Sequence, residues 1–181
     1  VPVRSTTKRA SGALLLLLAW ALASGAEAQV NDFGVGGILD IPSARMLEEG
    51  TLTTTYSRKD VVDIYSIGYQ VLPRVEASFR YSIFDPRQKV PVYQRNDRSF
   101  ELKVRLLDES RYLPQVSVGA RDLLGTGLWS SEYVVASKAI GAFDVTAGLG
   151  WGRLAERDIA RNPLIALSDA FGSRSGSSSL G

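Results

Sequence analysis

The stretch that decides the fold is "RSFELKVRLL", residues 98–107. Phe100, Leu102, Val104 and Leu106 alternate with Ser99, Glu101, Lys103 and Arg105. Side chains change face at every residue of a β-strand, so this segment has one apolar and one charged face. Two environments suit it. In a soluble sandwich the apolar face meets a protein core and the charges meet bulk water. In a membrane barrel the apolar face meets lipid and the charges meet an enclosed, wet interior.

The pattern continues on both sides. Turn signals separate runs near Thr51–Ser57, Val62–Val71, Arg74–Ile83, Ser99–Leu107, Gln115–Asp122, Trp129–Lys138 and Ala142–Trp151. "RVEASFRYSI" sets Val75, Ala77, Phe79, Tyr81 and Ile83 against Glu76, Ser78, Arg80 and Ser82. "AFDVTAGLGW" divides in the same way, whereas the facing of "EYVVASK" stays ambiguous. The fold class predicted is all-β, an antiparallel up-and-down meander of about seven strands, as in the N-terminal part of an outer-membrane barrel. Three features favour the barrel over the sandwich. The runs approach the roughly 9–11 residues of a tilted bilayer crossing. The longest connection, "FDPRQKVPVYQRNDR", and the shortest, "LP", fall on opposite sides of the meander. Tyr56, Tyr81, Phe84, Trp129 and Trp151 sit near strand ends, where an interfacial girdle would stand.

Four regions are expected: a secretory signal peptide over 1–28, a Gly/Pro-containing lead-in over 29–50, the meander over 51–152, and a flexible polar tail or loop over 153–181. The leader has Arg4, Lys8 and Arg9, an apolar run from Ala13 to Ala23, and Ala26-Glu27-Ala28 as a small-x-small cleavage site. Its apolar run is shorter than the roughly 18 residues a spanning helix needs. Its charges account for the whole formal +2 of the chain, so the remainder is neutral and offers nucleic acid no excess of positive charge. In the lead-in, Ser43 is expected to cap a short helical turn over Ser43–Glu49.

The 181 residues contain neither Cys nor His, which removes disulfides, a lipid-bearing Cys, thiol chemistry and His-based catalysis or ligation from this sequence. "GVGG" lacks the strand, helix and Lys-Ser/Thr pair of a phosphate loop and reads as a turn. Glu76, Glu101 and Glu132 have no spacing that defines a glycosidase pair, and Asp108 with Glu109 forms no cation loop. No catalytic, cofactor-binding or metal-binding residue is expected. The candidate lumen-facing polar set is Glu76, Arg80, Glu101, Lys103, Arg105, Arg121 and Lys138. Its mixed signs suit cross-lumen pairing, with a hydroxyl-rich polymer as the functional alternative. On this reading Lys103 is exchangeable for Gln without harm to assembly.

"NDFGVGGILDIPSARMLEEGTLTTTYS", "EASFRYS" and the long block from Phe100 to Gly152 resemble the start of the YjbH family. These are outer-membrane β-barrel proteins associated with exopolysaccharide and group 4 capsule secretion in Gram-negative bacteria. The resemblance implies a large, non-enzymatic barrel in outer-membrane lipid, with small periplasmic or lipoprotein partners and exopolysaccharide as a possible contact. It carries over no catalytic residue and no cofactor. Many family members are lipoproteins, and they are much longer, so the chain is read as a segment of a longer product. The alternative from another class is a soluble periplasmic β-sandwich that binds saccharide or a partner protein.

Overall fold

A computed structural model describes residues 29–85, 96–155, 162–166, 168, 169 and 171. The expected leader, most of the long connection and much of the expected tail lie outside the described residues. A small hairpin, β1 (Gly37–Ile38) and β2 (Ile41–Pro42), precedes seven long strands. These are β3 (Leu52–Lys59), β4 (Val62–Leu72), β5 (Val75–Phe84), β6 (Asn96–Leu107), β7 (Gln115–Leu123), β8 (Ser131–Ile140) and β9 (Phe143–Gly152). They pair in sequence order, each antiparallel to the next, as one seven-stranded sheet curled into a half-barrel. A 3-10 turn follows at Pro163–Ala166.

Local chemistry explains the path. Lys59 pairs with Val62 across the two-residue turn Asp60–Val61, with Asp60 at φ 46°. A short polar side chain tolerates that left-handed conformation better than most. Gly141, at φ 62°, turns β8 into β9. On β7 a bulge sets both Arg121 and Asp122 against Glu101, because the register moves from Leu102↔Ala120 to Phe100↔Leu123. Arg121 stays on the inner face. Asp122 turns to accept the Trp129 backbone N–H at 2.9 Å, which ties down the connection to β8.

Burial is inverted relative to an ordinary soluble sheet. On β6 the charged and hydroxyl residues Asp97, Ser99, Glu101 and Lys103 are buried, while Phe100, Leu102 and Leu106 are exposed. The same division runs through β4, where Ser66 and Gln70 are buried and Tyr65, Ile67 and Tyr69 are exposed. The apolar clusters are small. Val62, Ile64 and Phe84 pack with Val61, Leu128 and Trp129, and Ala44, Tyr133 and Val135 pack with Leu154.

The lead-in fills the concavity. From Asp32 beside Lys59 it turns back to Gly36 beside Glu76 and Lys103, reaches Lys59 again at Asp40, and crosses to the opposite rim at Arg45 before joining β3. Asn31 reverses the chain locally, its Oδ1 accepting the N–H groups of Phe33 (3.0 Å) and Val35 (3.2 Å). The helical turn expected over Ser43–Glu49 does not form. Ala44 instead sends its N–H to Ser137 Oγ (2.9 Å), and its C=O accepts from Gln115 Nε2 (2.6 Å) and Ser117 Oγ (2.9 Å). Hydrogen bonds to the sheet replace those a helix would make along itself.

The aromatic girdle also needs correction. Tyr56 is exposed and stacks near Tyr65, with ring centroids 5.1 Å apart, but Phe84 and Trp151 are buried. Trp129 packs edge-on against Phe33 at 6.1 Å. Phe84 shares the inner register of Ser82, whereas Trp151, opposite Glu132, keeps the outer register but is buried there, and position along the chain reveals neither outcome.

Gly68 of β4 shows how closely sheet and lead-in are fitted. A Cβ there would stand 1.8 Å from the Gly34 carbonyl oxygen and 2.6 Å from Thr53 Oγ1. Gly68→Ala is therefore expected to unseat residues 29–49 and leave the sheet paired. Limited proteolysis should cut the lead-in faster in the variant; unchanged cutting would contradict the fit described.

Candidate functional site: the occupied inner face

The inner face is organised by cross-strand ion pairs. Antiparallel register puts Glu76 of β5 directly opposite Lys103 of β6, and Lys103 Nζ lies 2.5 Å from Glu76 Oε2. One step along, Arg80 Nη2 meets Asp97 Oδ2 at 3.2 Å. The β7 bulge brings Arg121 Nε to Glu101 Oε2 at 3.1 Å. Glu101 Oε1 also accepts the Tyr133 hydroxyl at 2.6 Å. Tyr133 reaches it by lying over Gly119, where a Cβ would stand 2.3 Å from the phenol ring. All of these carboxylates and cations are at most 4% exposed. Removing one partner from such a pair leaves an uncompensated buried charge, at a cost of about 3–5 kcal/mol.

The lead-in meets this face mainly through backbone and one ring. Gly36 N–H donates to Glu76 Oε1 (2.9 Å), while Lys103 Nζ donates to the carbonyls of Gly36 (3.1 Å) and Arg45 (2.8 Å). Ser66 Oγ donates to the Asp32 carbonyl at 2.8 Å. Phe33 lies between two guanidiniums, with Arg121 Cζ 3.9 Å and Arg80 Cζ 4.5 Å from its centroid. Such contacts are favourable for the ring and leave the cations free to keep their carboxylates. Arg80 also stands 4.9 Å from the Trp129 ring.

Charged contacts of the lead-in lie at the rims. Lys59 pairs with Asp32 (3.4 Å) and Asp40 at one end. At the other, Arg45 Nη1 meets Glu109 Oε2 (2.5 Å) and Nη2 meets Asp144 Oδ1 (2.6 Å). The hydrogen bond from Arg45 lowers the Glu109 carboxyl most, followed by the Ala139 N–H and Lys138, and holds it down to about 2. Asp144, and then Glu109, keep the Arg45 guanidinium more firmly protonated than an ordinary one.

The structure places Glu76, Arg80, Glu101, Lys103 and Arg121 together on the concave face. Arg105 follows in the same register at the rim, donating to the Pro73 carbonyl (2.8 Å) and pairing with Asp108 (3.0 Å). Lys138 does not join them. Ser137 is the inward residue of β8, and Lys138 reaches Glu109 (3.0 Å) and the Ser110 carbonyl outside the concavity. Its ambiguous strand gave no alternation from which to read the face. Glu132 is likewise on the opposite register, accepting from Asn162 Nδ2 at 3.0 Å, so it forms no pair with Glu76 or Glu101.

Phe33, Asp97 and Tyr133 belong to the site without having been legible as members. Asp97 continues the alternation of Ser99 and Glu101 two residues upstream, a signal hidden because β6 begins at Asn96 rather than Ser99. Lys103 is fully enclosed with Glu76, a setting in which replacing it by Gln would leave a buried carboxylate without its counter-charge.

Fold and site together define an antiparallel β-meander protein whose polar, charge-paired inner face is occupied by its own N-terminal segment. Residues 29–181 match the YjbH family, described as exopolysaccharide biosynthesis protein YbjH, and the chain belongs to that family. A relative from Escherichia coli (strain K12), named Uncharacterized lipoprotein YjbH, is 46% identical over 147 residues. The alignment covers 78% of this chain and 21% of that protein, so the chain spans about a fifth of its relative's length. No solved structure matches.

Two outcomes follow. In equilibrium unfolding of the purified protein, Glu76→Gln or Lys103→Met alone should cost about 3–5 kcal/mol, and the double variant distinctly less than the two together. Additive costs would mean that the pair does not act as one. For Glu109, the lowered carboxyl contributes stability that is fully present above its ordinary value of 4.5 and is lost as pH falls through about 2. A carbon NMR titration of its carboxyl should have its midpoint near 2, and Arg45→Gln should move that midpoint upward.

Proposed function

We propose that this chain is the N-terminal part of a non-enzymatic outer-membrane β-barrel that serves exopolysaccharide or capsule biosynthesis, export or surface assembly. The inverted burial carries this reading. A curved sheet that encloses Glu76, Lys103, Arg80 and Arg121 while presenting Tyr65, Ile67, Phe100 and Leu102 outward suits lipid outside and a polar interior. Strands of 8–12 residues match a tilted crossing of the hydrocarbon layer. Membership of a family described by exopolysaccharide biosynthesis supplies the process, and a relative named as a lipoprotein supports export and membrane association. Small periplasmic or lipoprotein partners of the same secretion system belong to this reading.

The free edges support a larger barrel. Among the described residues β3 and β9 each pair on one side only, and both run in the same direction because seven strands alternate. They cannot close antiparallel on each other, nor can the β9 of one copy close in that sense on the β3 of a coaxial second copy. An odd number of further strands satisfies both edges and yields an even-stranded antiparallel barrel, in which no backbone group is left unpaired in lipid.

Envelope fractionation of cells that express the full-length gene tests the proposal. Recovery in the outer membrane with heat-modifiable migration is expected; a soluble periplasmic monomer would overturn it. Leu102→Arg, at the middle of β6, should lower the stability of the inserted protein by about 2–4 kcal/mol. Leu106→Arg, near the rim, should cost about 0–1 kcal/mol. Equal effects at both positions would argue against a bilayer around this face.

A further inference from the structure

We propose that residues 29–49 form a displaceable plug, latched at both rims of the half-barrel, which gates access to the polar inner face. The inference rests on the barrel reading for its consequence, though not for the release of the segment itself.

A permanent core and a removable plug differ in what each leaves behind. If the lead-in supplied the counter-charges of the inner face, its departure would strand buried ions. It supplies none of them. Lys103, Arg80 and Arg121 each keep a carboxylate contributed by the sheet. What the plug presents to the deepest part of the face is glycine backbone around Gly34 and Gly36, together with the Phe33 ring. Sheet groups that bond this backbone include Ser66 Oγ, Gln115 Nε2 and the Glu76–Lys103 pair, which keeps its own partner, and water can serve each of them once the face is wet.

The charged contacts of the plug are confined to the two rims, through Asp32 and Asp40 at one and Arg45 at the other, and these are partly solvent-accessible. Lys59 is 37% exposed beside Asp32 and Asp40, and Glu109 and Asp144 are 22% and 26% exposed beside Arg45. Accessible ion pairs are weak singly and screened by salt, which suits a latch better than a foundation. Between the two latches the fit is close. Gly68 leaves room for the Gly34 carbonyl, so the seated position is specific and not a loose filling.

The test uses the full-length protein purified from the outer membrane, with heat-modifiable migration checked first. A reporter Ser78→Cys lies beneath Gly34, whose Cβ would stand 3.3 Å from that of Ser78. A charged maleimide should label it slowly in the otherwise native protein. With Arg45→Gln and Lys59→Gln added, labelling should be about tenfold faster, as expected for losing two exposed ion-pair latches. Raising the salt should accelerate labelling in the native background and have much less effect in the latch variant. Separately, Ala44→Cys with Ser137→Cys in the latch variant should tether the plug, since Ala44 N and Ser137 Oγ are 2.9 Å apart. Conductance in a planar lipid bilayer should be low when that variant is oxidised and rise on reduction. Labelling unmoved by the latch substitutions, or conductance indifferent to the tether, would overturn the plug. A protein that fails heat modification but still labels faster in the latch variant would overturn the barrel reading and leave the displaceable segment standing.

Discussion

Everything in this structure depends on burying charge on one face of a curved sheet. An isolated buried carboxylate or ammonium costs too much to persist in a low-dielectric interior, so the cations and anions must arrive together. Antiparallel pairing delivers them. Register brings Glu76 across from Lys103, a neighbouring step brings Arg80 to Asp97, and one bulge turns Arg121 toward Glu101. Hydrogen bonds from Tyr133 and from the Gly36 backbone occupy further carboxylate positions. With the charges settled, the opposite register is left to Phe100, Leu102 and their neighbours, which face outward.

The N-terminal segment answers a second constraint. A half-barrel with a polar interior has a surface that needs hydrogen-bond partners wherever water is excluded. An extended, glycine-rich chain provides them densely, because each residue offers a donor and an acceptor and a missing side chain permits close approach. That is why the segment between Asn31 and Arg45 forms neither a helix nor a strand of the main sheet. Its hydrogen bonds run outward to Ser66, Glu76, Lys103, Gln115, Ser117 and Ser137. Phe33 adds a specific anchor, since a ring can sit between two guanidiniums without taking away their carboxylates.

Alternation at period two was enough to place the strands. The run from Arg98 to Leu107 has one apolar and one charged face wherever it sits, and its neighbours repeat the pattern at similar length, so the meander and most of its inner residues follow from chain order. Where alternation failed, so did the reading. In "EYVVASK" apolar residues occupy both faces, and only pairing with β7 shows that Tyr133, Val135 and Ser137 point inward and Lys138 does not. The aromatic residues at strand ends divided between the two faces for the same reason.

The sequence by itself determined an all-β meander, the family to which the chain belongs, and the polarity of the faces of the strands that alternate cleanly, because these depend on residue order and on side-chain direction within a strand. Only the tertiary structure decided what covers the charged face. The contacts from Phe33 to Arg80 and Arg121, from Gly34 to Gly68, and from Ala44 to Ser117 and Ser137 join residues far apart in the chain. Curvature brings them together, and no local pattern in residues 29–49 announces a partner on strands that come later.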